Sequence, residues 1–249
     1  MFIRCFLLLW IFNFLSAGRV PQPEERIIGG GPIEIEQSPW QVSLQVEGVY
    51  ICGGSIYSKD IIITAAHCTE KEDKQLEAKD FLVRAGSALK NSGGTLSKVA
   101  TLILHEEYHS KNLLNDIAIM RLSQPLELSH KVQTIPLAER YPVPGTIAFT
   151  SGSGEALDED GTPIGPIKLQ GTFLRIQPLH TCTNLFFTRR DLICAGSSGQ
   201  TACIGDSGGP LIVDQKLVGV TSFQGCIDPT LFANVPYFRK WILDTINYI

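Results

Sequence analysis

Pro39-Trp40-Gln41-Val42-Ser43-Leu44-Gln45-Val46 alternates apolar and polar side chains, the period of two that marks a half-buried strand. Short apolar runs follow at residues 61–64, 99–104, 116–122, 211–213 and 217–220. Turn-forming residues separate them, among them Gly93-Gly94, Pro142 to Gly145 and Asp160-Gly161. Many short strands with frequent turns predict an all-β protein of the barrel or sandwich kind. The C-terminus differs. Phe238, Trp241, Ile242, Thr245, Ile246 and Ile249 recur at spacings of three and one, one face of a closing amphipathic helix. No repeat or low-complexity linker divides residues 27–249, so this region reads as one structural unit.

The chain has 249 residues, 44% of them hydrophobic and 18% charged, which is apolar enough to bury a sizeable core. Disordered chains are poor in such residues and rich in charge, so disorder is excluded. Neither a glycine period nor heptads are present, which sets collagen and coiled coil aside. A formal net charge of −4 offers no basic footprint for nucleic acid.

Residues 1–18 hold the only long apolar run: Arg4, then Cys5 to Leu15, closed by Ser16, Ala17 and Gly18. A positive start, an apolar stretch shorter than a membrane span and a small-residue exit predict a secretory signal peptide. The alternative is an uncleaved anchor. Cleavage removes Cys5, one of seven cysteines, and leaves an even number suited to disulfides in an oxidising compartment. No Asn-x-Ser/Thr sequon occurs, so no N-glycosylation is expected. Residues 19–26 are short, polar and Pro-containing, and predict an unstructured pro-segment. It ends at Arg26, before Ile27-Ile28-Gly29-Gly30. A basic residue in a flexible stretch is a good target for proteolysis, although alone it reads equally as a linker charge.

Three segments matter together: Thr64-Ala65-Ala66-His67-Cys68, Asn115-Asp116-Ile117-Ala118-Ile119-Met120 and Cys203-Ile204-Gly205-Asp206-Ser207-Gly208-Gly209-Pro210. A lone His is more often structural, a lone Asp is usually a turn residue, and Ser-Gly-Gly-Pro is a plausible loop. The three in this order, after a secretion signal and an Arg-Ile-Ile-Gly-Gly junction, are hard to obtain by chance. Over residues 27–249 the chain resembles the trypsin/chymotrypsin family of serine proteases.

That resemblance implies a pair of six-stranded antiparallel barrels with the active site between them and a C-terminal helix. It implies that Ser207 is the nucleophile, His67 its general base and then acid, and Asp116 the residue that holds the imidazole tautomer. A serine hydroxyl is a poor nucleophile at neutral pH without an adjacent base, and an imidazole, with an ordinary pKa near 6.5, suits that task. In the template member of the family, loss of the Asp role costs on the order of 10⁴ in turnover. The backbone N–H groups of Gly205 and Ser207 are expected to form the oxyanion hole, glycine leaving room for the amide to turn inward. Cutting after Arg26 is expected to free the Ile27 amine to pair with Asp206, ordering the oxyanion loop. Cys52 with Cys68, Cys182 with Cys194 and Cys203 with Cys226 match common bridges of the family, though the sequence itself leaves the connectivity open. Zinc is not expected, because no Cys-x₂-Cys pair or ligand-spaced His cluster exists.

Departures from the family concern specificity. Trypsins carry an Asp six residues before the nucleophile, where this chain has Thr201. A Lys or Arg side chain would enter that pocket without its counter-ion, at a high cost in a largely desolvated site. The pocket wall reads Ser222-Phe223-Gln224 in place of Ser-Trp-Gly, and Thr230 stands where many relatives have Gly. A preference for small or medium apolar residues before the cut bond is therefore expected, with Asp228 as the acid that could restore basic specificity. Ser151-Gly152-Ser153-Gly154 replaces the usual Gly-Trp-Gly beside an acidic loop at 155–160, which reads as a solvated surface segment. Arg84-Ala85-Gly86 is followed by Ser87, so the carboxylates of the vertebrate-trypsin calcium loop are missing and no metal or cofactor is expected.

The expected partners are a protein or peptide substrate, an activating protease and protein protease inhibitors, with neither nucleic acid nor membrane, and the chain is expected to be a monomer. The sequence thus points to a secreted serine endopeptidase. The alternative is a catalytically weak homologue that acts as a binding or regulatory protein.

Overall fold

The computed structural model describes residues 30–71, 74–154, 156–157, 163–164, 168–182, 189–196, 199, 201–202, 205–223 and 229–249. The expected leader at 1–18, the expected pro-segment with Arg26 and Ile27, Cys203 and Cys226, expected to pair, and Gln224 and Asp228, expected at the pocket, lie outside the described residues. So does most of the acidic loop at 155–160.

Six strands close the first barrel: β1 (Gln41–Val46), β2 (Val49–Ile56), β3 (Ile61–Thr64), β4 (Phe81–Ala85), β5 (Thr95–Leu104) and β6 (Ala118–Leu122). Their order is β1-β2-β3-β6-β5-β4, with β4 returning to β1 and every pairing antiparallel. Six more follow: β7 (Ile147–Gly152), β8 (Gln170–Gln177), β9 (Leu192–Ala195), β10 (Pro210–Val213), β11 (Lys216–Phe223) and β12 (Thr230–Asn234). These pair β7-β8-β9-β12-β11-β10 and back to β7, repeating the strand order of the first barrel. A two-residue strand, Gly31–Pro32, lies along the free side of β8. The expected pair of six-stranded antiparallel barrels is the fold.

Apolar side chains on both faces of the strands are buried. Leu44, Ile56, Ile62, Ile63, Val83, Ile119 and Met120 are fully buried in the first barrel. Leu174, Ile176, Ile193, Leu211 and Phe232 belong to the core of the second. Burying such a side chain contributes about 1.5–3 kcal/mol each. Helix α1 (Leu179–Cys182) is a single turn. Helix α2 (Val235–Tyr248) is capped by Asn234, whose side chain accepts from the Tyr237 amide. The helix leaves the second barrel yet buries Phe238 and Ile242 in the cluster that fills the first, on the face the spacing predicts.

One expectation needs correction. Strand β1 is buried at all six positions, not on one face. The alternation is real, but protein covers the polar face. Ser151 Oγ donates to Gln41 Oε1 at 2.8 Å and lies 2.8 Å from Ser38 Oγ, while Gln45 Nε2 donates to Lys90 O at 2.8 Å. Buried polar groups are tolerated because they are hydrogen-bonded. Strand β6 also begins later than the apolar run at 116–122, because the chain turns at Asp116, where the Ile117 amide donates to Asn115 O.

Candidate active site

Three local structures deliver the three side chains. His67 sits in the 3₁₀ turn Ala66–Thr69 that follows β3. Asp116 lies in the turn before β6, and Ser207 in the turn before β10. Two of them therefore come from the first barrel and one from the second. Asp116 Oδ2 is 2.7 Å from His67 Nδ1, and His67 Nε2 is 2.5 Å from Ser207 Oγ. Asp116 Oδ1 also accepts from the backbone amide of His67 at 2.8 Å, so the carboxylate grips both ends of that residue. Asp116 and Ser207 are buried, whereas the His67 side chain keeps 21% of its surface exposed. A base with one open edge can pass a proton between the serine and a substrate in the cleft.

The turn around Ser207 is shaped by close approach. Gly205 has φ +88 and Gly208 φ +72, in the left-handed region that glycine adopts without strain. A side chain at Gly208 would collide with the Gly53 carbonyl and the Thr64 hydroxyl. The Gly53 amide meanwhile donates to Ser207 O at 2.7 Å, tying the turn to β2. Asp206 is buried and its Oδ1 accepts from the Gly154 amide at 2.8 Å, with Gly152 so near that a Cβ there would strike the carboxylate.

A family model described as Trypsin matches residues 27–242. The chain belongs to the trypsin family of serine proteases. Trypsin alpha of Drosophila erecta and of Drosophila melanogaster are each 40% identical to it over 241 residues, covering 93% of this chain and 92% of theirs. Among solved structures, mouse neuropsin, a serine protease expressed in the limbic system of the brain, superimposes with a TM-score of 0.76 at 29% identity, covering 87% of this chain and 98% of its own.

In this serine protease the described disulfides are Cys52–Cys68, beside the His67 turn, and Cys182–Cys194, which joins α1 to β9. Sulfur atoms of Cys52 and Cys68 lie near the His67 ring, but both are oxidised and offer no thiolate to a metal. Thr201 and Thr230, expected in the specificity pocket, are buried with their hydroxyls hydrogen-bonded to one another. Ser222, expected along the pocket wall, turns its hydroxyl away to donate to Asp116 Oδ2 at 2.6 Å. A cleft of about 370 Å³ opens beside the site, lined by Tyr50, Ile51, Glu70, Lys71, Leu76 and Gly205 among others. Above it Tyr108 reaches Glu70 at 3.4 Å, and burial, followed by the Asp116 and Glu70 charges, pushes its phenol up. Sequence reasoning missed Tyr50, whose hydroxyl donates to Gly205 O at 2.6 Å. No spacing signal marks a contact between residues so far apart in the chain.

Proposed function

We propose that the protein is a secreted serine endopeptidase, made as a zymogen cut after Arg26, that hydrolyses peptide bonds through an acyl-enzyme on Ser207. The observation that carries this reading is the unbroken hydrogen-bond chain from Asp116 through His67 to Ser207. Ser207 Oγ attacks the peptide carbonyl carbon as its proton passes to His67 Nε2. Asp116 fixes Nδ1 as the donor side of the ring and stabilises the imidazolium that forms. The carbonyl oxygen, now negative, is received by the amides of Gly205 and Ser207, each such donor being worth roughly 3–4 kcal/mol. Collapse breaks the C–N bond, and His67 hands its proton to the departing amine. Water then takes the amine's place and repeats the sequence, releasing the acid and restoring Ser207.

Activation fits the burial of Asp206. Its Oδ1 already accepts from the Gly154 amide, and the amine of Ile27 released by cleavage would join that buried carboxylate and order the oxyanion loop. The leader expected at 1–18 and the two described disulfides support an extracellular setting. Proteins are the substrates, and an activating protease and protein inhibitors are the further partners of a monomeric enzyme. The paired hydroxyls of Thr201 and Thr230, which carry no charge of their own, support cleavage after small or medium apolar residues over Lys or Arg. Ser222, Gln224 and Thr230 complete the proposed pocket.

Labelling with a fluorophosphonate after cleavage at Arg26 tests the proposal. Ser207 should be modified, and Arg26→Gln should leave an unlabelled, stable zymogen. Lack of labelling in the cleaved protein would favour a binding or regulatory role. Profiling against a peptide library should give cleavage after Ala, Val or Leu. A profile dominated by Arg or Lys and abolished by Asp228→Asn would overturn the pocket assignment.

A further inference from the structure

The segment that delivers Asp116 is clamped by an ion pair from the other barrel. We propose that Arg189 and Asp191 form a latch that positions Asp116 for proton relay, an inference that rests on the triad reading above. Arg189 Nε donates to Asp191 Oδ1 at 3.1 Å and Nη2 to Oδ2 at 2.5 Å, a fork on both carboxylate oxygens. The same guanidinium reaches across the barrels. Its Nη1 donates to Asn112 O at 2.9 Å and its Nη2 to Leu113 O at 2.8 Å. Asp191 Oδ2 in turn accepts from the Asn115 amide at 3.3 Å. Three backbone groups within residues 112–115 thus end on one ion pair.

The loop needs such a hold. Leu113 has φ +50 and Asn115 φ +52, left-handed conformations that a leucine rarely adopts. Such residues persist only where the surroundings over-determine them. The latch itself is braced from behind: Asn234, the cap of α2, donates from Nδ2 to Arg190 O at 2.7 Å and from its amide to Asp191 O at 2.8 Å. Side-chain exposure is 18% for Arg189 and 6% for Asp191, so removing either leaves its partner as a largely buried charge. Asn115 is bonded covalently to Asp116, and the Ile117 amide closes the turn between them. Any slack in residues 112–115 therefore moves the Asp116 carboxylate away from His67 Nδ1. Arg189 touches neither the triad nor the cleft; it is a positioning residue. Lysine could not replace it, because one point charge cannot serve two carboxylate oxygens and two carbonyls together.

The test is a double-mutant cycle on the full chain activated at Arg26, with kcat referred to folded protein measured by near-ultraviolet circular dichroism. Arg189→Ala and Arg189→Lys should each lower kcat about 10- to 100-fold with KM within about twofold, the scale expected of an ångström-level misplacement. In an Asp116→Asn background the same substitutions should change kcat by no more than about twofold, because the group they position is already disabled. Equal losses in both backgrounds would mark a merely structural role and overturn the latch, as would unchanged turnover in the Arg189 variants. The parent and Asp116→Asn alone report on the triad reading, whatever Arg189 does. Should the parent fail to turn over, the low-field proton resonance of the His67 Nδ1–H bonded to Asp116 reads the geometry directly. It should move upfield or vanish in Arg189→Lys, and an unaltered resonance overturns the latch.

Discussion

Tyr50 ties the turn of the nucleophile to β2 at the level of a single hydroxyl. Its phenol donates at 2.6 Å to the carbonyl of Gly205, the residue whose own amide is proposed to receive the oxyanion, and Lys90 Nζ stands 5.4 Å from the ring centroid. A cation over the ring holds the phenol in place. Tyr50→Phe removes the hydroxyl and little else. A net hydrogen bond is worth about 1 kcal/mol, so kcat is expected to fall by up to about tenfold. KM should stay unchanged, because the bond orients the turn and does not grip substrate. Steady-state kinetics on a peptide substrate checks this, and an unaltered kcat would show the bond to be idle. Ser222 acts at the same scale, adding its hydroxyl to the Asp116 carboxylate that His67 already engages twice.

Between elements, the seam joining the end of β5 to α2 carries a titratable group. His105 follows β5 and packs on Trp241 with ring centroids 4.8 Å apart, and on Phe238 edge-on at 5.4 Å, while Trp241 Nε1 donates to Glu106 at 2.7 Å. Burial pushes the His105 imidazole below its ordinary value, against the upward pull of Glu106 and Glu107. Its Nδ1 accepts from the Glu107 amide at 3.2 Å, a bond that requires that nitrogen to be unprotonated. The unfolded chain takes up this proton near pH 6.5, while the folded ring resists it. The contribution of His105 is thus complete above about pH 6.5 and falls away as the pH drops toward the lower folded value. Melting temperatures at about pH 7.5 and about pH 5 should differ more in the parent than in His105→Gln. An equal difference in the two proteins would rule out His105 as the source.

Across the whole molecule, the site exists only because the two barrels dock in one way. Gln41 and Ser38 from the first meet Ser151 of β7 in a buried polar network, and the Gly53 amide holds Ser207 O. Fully satisfied networks of this kind specify an arrangement, and partly satisfied ones are costly. Ser151→Ala leaves Gln41 Oε1 without its donor and is expected to cost about 1–3 kcal/mol. A lower denaturation midpoint with an unchanged slope would report that loss. A midpoint equal to the parent's would mean that the network contributes nothing to docking.

His67, Asp116 and Ser207 were legible in the sequence, as were Cys52 with Cys68 and Cys182 with Cys194, once the family resemblance was drawn. The reason is local. The chemistry demands those residue types, and the turns that expose them demand glycines at 205 and 208. The strand period of β1 and the helical face of α2 were legible for the same reason, since periodicity is a property of neighbours in the chain. What covers a face is not. Gln41, Ser43 and Gln45 read as solvent-facing, and only the packed protein shows them buried. The Ser222 hydroxyl on Asp116, the Tyr50 hydroxyl on Gly205 and the Arg189 guanidinium on residues 112 and 113 join positions far apart in sequence. No local rule records such contacts, because they form only where the two barrels meet in the folded protein.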